Sequence, residues 1–257
     1  MISIDKLSYI SELRKINPME KFIFSMFTMI VCICLNNIIV SIITLLLMSA
    51  ITICIGKLSV KTYWKLILLP MTFLIIGIIT IAINIVQSNS ELLFSFNIFN
   101  LKLGTSVDSL VTALRIFFKA LASVSCLYFL TLSTPVFEIL AVLKKLKMPK
   151  LFIELMSLIY RFIFVLLDTA NMIFISQCSR LGYSTIKLSY NSLGQLITSL
   201  FIRSYKRSQD VYIAMESRGY EGEINLLENN YKFSSKNIVI IIFLEIFLIA
   251  IGIGKIF

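Results

Sequence analysis

Histidine is absent from this chain of 257 residues, and tryptophan occurs once. Without imidazole there is no Cys–His or Ser–His couple to activate a nucleophile, and no imidazole metal ligand. Charge is scarce as well: 15% of residues are charged and 58% are apolar, whereas soluble domains carry about 25% and about 45–50%. A water-soluble core of this size cannot bury that excess, so part of the solvent is lipid. The mean hydropathy of +0.92 agrees. The five cysteines sit mostly in apolar stretches, where free thiols behave as small core or lipid-facing residues. Cys32 and Cys34 are two apart, so a helix turns them to different faces and they cannot chelate together. The first 21 residues are polar and no A-x-A-like site follows the apolar run, which argues against a secretory signal.

Long apolar runs stand in place of charge. Residues 22–35 and 38–55 are nearly charge-free and joined by Asn36-Asn37, which predicts a helical hairpin of two spans. The first run is short, so the span starts a turn earlier, near residue 20, with Lys21 snorkelling to the interface. Residues 66–86 give a third span with Pro70 near one end. Residues 107–133 give a fourth, with Arg115 and Lys119 four apart on one face. Residues 238–253 form the last, with Glu245 at its middle. Between spans three and four the chain is polar and turn-rich, and the loose alternation of 92–103 suggests only a weak, short hairpin.

Orientation follows from lysine and arginine near the span ends. Lys6, Arg14, Lys15 and Lys21 precede the first span, Lys57, Lys61 and Lys65 follow the second, and 132–236 holds thirteen. These segments are expected to be cytoplasmic, which places the N-terminus inside and, after five spans, the C-terminus outside. The net charge of +10 then meets anionic lipid or acidic protein partners. It does not suggest nucleic acid, because the basic residues alternate with apolar runs instead of forming one soluble face. Residues 151–167 are apolar enough to be taken for a sixth span. Glu154, Arg161 and Asp168 recur there every seven residues, a wet helical stripe, and a crossing would export the eight basic residues that follow. A cytoplasmic or membrane-surface helix is the better reading.

The expected fold is therefore an all-α polytopic membrane protein with about five transmembrane helices. It has an N-terminal membrane domain of residues 1–133 (spans about 20–35, 38–55, 66–86 and 107–133), a cytoplasmic three-helix region of 134–236, and a last transmembrane helix within 237–257. In the cytoplasmic region Thr134-Pro135 opens a helix, threonine as N-cap and proline at the first position, which Pro149 stops. A second helix runs over about 150–180 and a third over about 192–218. Leu193, Leu196, Ile197, Leu200, Phe201, Tyr205, Tyr212 and Met215 form an apolar stripe on the third. Both long helices end on one device: a small or polar residue, arginine (Arg180, Arg218), a nearby glycine in the left-handed cap position (Gly182, Gly219), then tyrosine. One such ending is an ordinary C-cap. Two of them, on helices of roughly 40 Å, present a cation at each tip and suit a lever that engages two equivalent pockets on a partner.

These residues resemble the transmembrane T component of energy-coupling-factor transporters, the EcfT/CbiQ family, whose two coupling helices each end in an Ala-Arg-Gly-like motif. Ser217-Arg218-Gly219 is the better match. The first motif departs from the pattern, since Leu181 separates Arg180 from Gly182. Further similarity lies in Leu146-Lys147-Met148-Pro149, Tyr160-Arg161-Phe162 and Thr134-Pro135. Ile4-Asp5-Lys6-Leu7-Ser8-Tyr9 and Asn17-Pro18-Met19-Glu20-Lys21 look more like the cobalt branch than the shared vitamin branch.

The resemblance implies a non-catalytic, multi-pass subunit of the cell membrane. It would scaffold two ABC-type ATPase subunits and a membrane-embedded, substrate-binding S component. Arg180 and Arg218 would each enter a groove on one ATPase, with Gly182 and Gly219 letting the chain turn away and Ser217 beside them. The apolar stripe would pack on the second helix and against the S component. The chain itself would bind no cofactor or metal; partners would bind ATP, and ligands for cobalt or nickel would reside mainly on the S component. A shared T component for vitamins is the alternative within the family. Outside it stand a self-contained secondary transporter, for which no internal repeat is found, and a membrane-embedded enzyme built on Arg115, Lys119 and Glu245. For those three, structural pairing of Glu245 with one of the cations is the simpler expectation.

Overall fold

The computed structural model describes residues 4–82, 84–85, 92–98, 101–221, 231 and 233–254. They divide into two units, Met1–Val142 with Asn229–Phe257, and Leu143–Glu228. Among the described residues five helices are long and apolar enough to cross a membrane: Pro18–Leu35, Ile38–Ile55, Val60–Ile81, Ser109–Ser133 and Ser235–Ile253. The protein is a helical, multi-pass membrane protein.

The membrane unit opens with a short helix α1 (Ile4–Ile10) and a 3-10 turn (Glu12–Lys15). Asn17 then caps α2 (Pro18–Leu35), its Oδ1 accepting the Met19 N–H at 3.0 Å, with Pro18 at the first position. The Asn36-Asn37 hinge divides its work. Asn36 takes the left-handed conformation that ends α2 (φ 46°), and Asn37 Oδ1 accepts the Ile39 N–H at 3.1 Å to start α3 (Ile38–Ala50). The second span finishes as a π-turn, Ile51–Ile55.

The third span, α4 (Val60–Ala82), begins six residues before the expected 66, so Pro70 lies inside the helix. Proline has no N–H for the carbonyl four residues back. The Tyr128 hydroxyl donates to that carbonyl, Leu66 O, at 3.1 Å. A small antiparallel sheet follows, in the order β1 (Asn84–Ile85), β3 (Leu101–Ser106), β2 (Leu92–Ile98). It contains the short hairpin expected over 92–103.

The fourth span, α5 (Val107–Ser133), packs against α1, α2, α3 and α4 and is the axis of the unit. Small residues on it admit close neighbours: the Ser25 hydroxyl donates to Cys126 O at 2.7 Å, and Phe24 meets Phe129 edge to face at 5.6 Å. The last span, α9 (Ser235–Ile253), lies against α2 and α3. A Cβ on Gly252 would stand 2.4 Å from the Leu35 side chain, so a larger residue there would require Leu35 to shift. Cys32 and Cys126 are buried, and Cys34, Cys54 and Cys178 exposed; all five are free.

Three expectations about charged groups are corrected. Lys21 does not snorkel. It is 3% exposed, and its ammonium donates to Leu13 O at 3.1 Å and to Ser133 O at 2.9 Å, because the negative end of α5 offers it a nearer acceptor than water. Glu245 does not neutralise Arg115 or Lys119. Its Oε1 accepts the Thr28 hydroxyl at 2.6 Å, while Lys119 donates to Asn36 Oδ1 at 3.2 Å. Nor do Glu154, Arg161 and Asp168 form one wet stripe, since Glu154 is buried and the other two are exposed.

The helix after the fourth span, α6, is Val136–Lys145. Thr134 is not its cap. Its N–H still bonds Leu130 O at the end of α5, and Pro135 O accepts the Glu138 and Ile139 N–H groups, which makes proline the capping residue. In the second unit α7 (Lys150–Ser179) and α8 (Ile186–Glu216) form an antiparallel hairpin. Gln177–Ser192 contacts lie at its closed end and a Glu154–Tyr220 contact at its open end. α8 begins six residues before the expected 192, because Thr185 caps it: its Oγ1 accepts the Leu188 N–H at 3.3 Å.

Candidate functional site

The two arginine tips share one backbone geometry. At the end of α7 the Gly182 N–H bonds Gln177 O at 2.9 Å and the Leu181 N–H bonds Cys178 O at 3.0 Å. At the end of α8 the Tyr220 N–H bonds Met215 O at 3.1 Å and the Gly219 N–H bonds Glu216 O at 3.0 Å. Both are Schellman closures, in which a left-handed residue lets two N–H groups fold back on the last turn. In each the arginine immediately precedes that residue. Leu181 (φ 58°) fills the position at the first tip and Gly219 (φ 77°) at the second. The expectation of a left-handed glycine thus holds at Gly219 and fails at Gly182.

Gly182 is required for a different reason. A Cβ there would stand 2.6 Å from Ser192 Oγ and 2.9 Å from Gln177 O. The space is used: the Ser192 hydroxyl donates to Gly182 O at 2.8 Å, and Gln177 Nε2 donates to Ser192 O at 2.9 Å. Tyr183 adds a hydrogen bond to Gln177 Oε1 at 2.9 Å and a ring contact with Phe174 at 4.9 Å. Arg180 therefore rises from a braced corner.

At the second tip a Cβ on Gly219 would meet nothing within 4 Å, so conformation alone selects glycine there. Ser217 continues the helix, its hydroxyl donating to Ile213 O at 2.8 Å. The Tyr220 hydroxyl reaches across to Glu154 Oε1 on α7 at 2.5 Å. That carboxylate pushes the Tyr220 phenol above its usual range, because the bond must break when tyrosine ionises. Arg180 and Arg218 are both exposed, at opposite ends of the hairpin, about 45 Å apart by the length of α7.

The apolar stripe of α8 splits. Leu196, Leu200 and Met215 are half-buried, whereas Leu193, Ile197, Phe201, Tyr205 and Tyr212 are 47–69% exposed. Phe201 and Tyr205 line a groove of about 340 Å³ with Phe162 and Leu166 of α7 and Ser204, Arg207 and Ser208 of α8. Sequence reasoning gave Ser192, Gln177, Glu154 and Leu181 no part in the site. Only the recurrence of tyrosine after each arginine pointed toward the bracing contacts.

The family model described as CbiQ, cobalt transport protein, matches residues 11–228. The chain belongs to the EcfT/CbiQ family. It is 32% identical over 249 residues to an uncharacterized protein of Methanocaldococcus jannaschii, covering 97% of this chain and 92% of the relative. It is 29% identical to the cobalt transport protein CbiQ of Salmonella typhimurium, over 88% of this chain and the full length of that protein. It is 30% identical to the energy-coupling factor transporter transmembrane protein EcfT of Lactococcus lactis, over 82% of this chain and 81% of that one. As a T component, this EcfT/CbiQ member is a membrane-embedded part of a transporter.

Proposed function

We propose that this T component couples ATP hydrolysis by two ABC-type ATPase subunits to movement of a substrate-binding S component. The observation that carries the reading is the pair of exposed arginines on matching Schellman closures at opposite ends of one antiparallel hairpin. A rigid strut with a cation at each end suits a pair of like receptors. Arginine suits them further, because its planar fork holds a carboxylate bidentately and stays charged. Gly182 and Gly219 let the chain leave each tip, and Ser217 completes the turn before Arg218. ATP is bound by the partners, and the chain holds no cofactor of its own.

In the same reading the exposed side chains Leu193, Ile197, Phe201, Tyr205 and Tyr212 meet the S component, and Leu196, Leu200 and Met215 hold α8 to α7. The likeness to CbiQ supports cobalt or nickel as cargo, and the likeness to EcfT keeps a vitamin as the second reading. The distribution of lysine and arginine supports a cytoplasmic N-terminus and an external C-terminus in the cell membrane.

Losing one partner of a buried interfacial charge pair costs about 2–5 kcal/mol, so losing both removes most of a micromolar affinity. Arg180→Glu with Arg218→Glu is expected to leave the protein inserted in the membrane and free of ATPase on co-purification. Stoichiometric ATPase on the double variant would refute the coupling role.

A further inference from the structure

The coupling reading uses the arginines and glycines and leaves the tyrosine after Arg218 without a part. The two ends of the hairpin are held in different ways. At the closed end α7 and α8 are joined covalently, and Ser192, Gln177 and Gly182 lock the corner. At the open end no chain connection exists. Midway between them the groove beside Phe162 and Phe201 leaves the helices short of close packing.

A strut held only at its closed corner amplifies angle. α8 has 31 residues, so a tilt of about 5° there moves its last turn by about 4 Å. That exceeds what bidentate pairing of a guanidinium tolerates. Some contact at the open end has to hold the tip. The Tyr220 hydroxyl meets Glu154 Oε1 there at 2.5 Å, in the range of charge-assisted O–H···O⁻ bonds.

The surroundings of Glu154 point the same way. Its neighbours Leu151, Phe152 and Leu155 are 43–66% exposed, while the carboxylate residue itself is 6% exposed. Glu154 thus shares the buried face of α7 with Ile153 and Ser157. Burying a carboxylate is costly without a donor, and Tyr220 supplies one.

We propose that Tyr220 and Glu154 are positioning residues: their hydrogen bond latches the open end of α8 to the first turn of α7 and fixes the place and aim of Arg218. The inference rests on the coupling role given to Arg218. Tyr220 touches no partner group in it and acts only through the arginine two residues before. The latch belongs to the second tip; at the first, the Tyr183 hydroxyl donates to Gln177 Oε1 within its own corner.

The test uses the full-length chain co-expressed with two ABC-type ATPase subunits. Tyr220→Phe, which removes only the hydroxyl, and Glu154→Leu should each weaken ATPase retention about tenfold, the worth of one hydrogen bond to a charged group. The double variant should lose no more than either single one. Glu154→Gln, which keeps a carbonyl acceptor, should recover most of the loss, a rescue that general destabilisation of α7 would not give. Nitroxide labels at Leu155 and Glu216, in a cysteine-free background, should show a broadened distance distribution in Tyr220→Phe. Normal ATPase retention by Tyr220→Phe beside its loss in Arg218→Glu overturns the latch and leaves the coupling reading intact. Retention by Arg218→Glu as well overturns both. An unchanged label distance in Tyr220→Phe overturns the latch whatever the ATPase does.

Discussion

Replacing Gly182 by alanine separates two explanations of the first tip. If glycine were there for a left-handed backbone, alanine would be strained by its torsion angle. The left-handed residue is instead Leu181, so the penalty at 182 is steric. The new methyl would press on Ser192 Oγ at 2.6 Å and on Gln177 O at 2.9 Å. A hydroxyl can rotate away, at the cost of its bond to Gly182 O. The backbone oxygen cannot move without loosening the Gln177–Gly182 bond that closes the helix. Overpacking of this kind costs about 1–3 kcal/mol, a factor of roughly 5–150 in local opening. Amide hydrogen exchange at residue 182 reads this directly, because its N–H is the one that closes the turn. We expect protection to fall by that factor in Gly182→Ala and to recover in part in Gly182→Ala with Ser192→Ala, which removes the nearer clash. Leu181→Gly, which relieves a strained torsion, should raise protection. Full protection in Gly182→Ala, or complete rescue by Ser192→Ala, would show that the closure is not limited by the Gln177 carbonyl.

Two further outcomes test the membrane unit. Tyr128→Phe leaves Leu66 O without the hydroxyl that replaces the missing Pro70 N–H and should cost about 1–2 kcal/mol. In a Pro70→Ala background, where the helix supplies its own donor, the same change should cost almost nothing, so a thermal double-mutant cycle in detergent should show a coupling near the full value; additive effects would refute the link. Lys21→Met removes the donor to Ser133 O in the interior. It should lower the unfolding midpoint by an amount equivalent to about 1–3 kcal/mol, whereas a lysine snorkelling to the interface would be replaced at little cost.

The transmembrane helices were legible because lipid imposes a length and a composition that few other elements share. Misplaced boundaries have local causes. α4 starts before its apolar run because Val60 to Lys65 continue the helix through polar residues, which hydropathy reads as a loop. α8 starts early because Thr185 is a cap whose signature is weaker than the serine- and leucine-rich turn that follows. The tips were legible as a repeated pattern and wrong in one detail. The motif shows arginine and a nearby glycine, but which residue turns left-handed depends on the backbone, and Leu181 takes the place that Gly219 takes in the second copy. Contacts across the chain, such as Tyr220 to Glu154 over 66 positions, leave no periodic trace in one sequence.

The same limit hid how the excursion is anchored, which the first turn of α2 explains. Glu20 and Lys21 are adjacent, buried and opposite in charge, yet they do not act as a pair. Glu20 accepts the Ser234 N–H and the Asn237 side-chain amide, each at 2.9 Å, at the positive end of α9. Lys21 donates to Ser133 O at the negative end of α5. Each charge thus meets the helix terminus that its sign favours, and one turn of one helix grips the end of the fourth span and the start of the fifth. Glu138, just after the fourth span, accepts the Tyr231 hydroxyl at 2.7 Å and faces Arg14 at 3.6 Å, a second tie at the same place. The end of α5 and the start of α9 are therefore fastened to one turn of α2. Load on either of these two helix ends is shared by α2, α5 and α9. Under the proposed coupling role, load passed from an ATPase would require such a tie. Glu20 and Lys21 make the tie through hydrogen bonds of buried side chains, which salt screens less than exposed ion pairs.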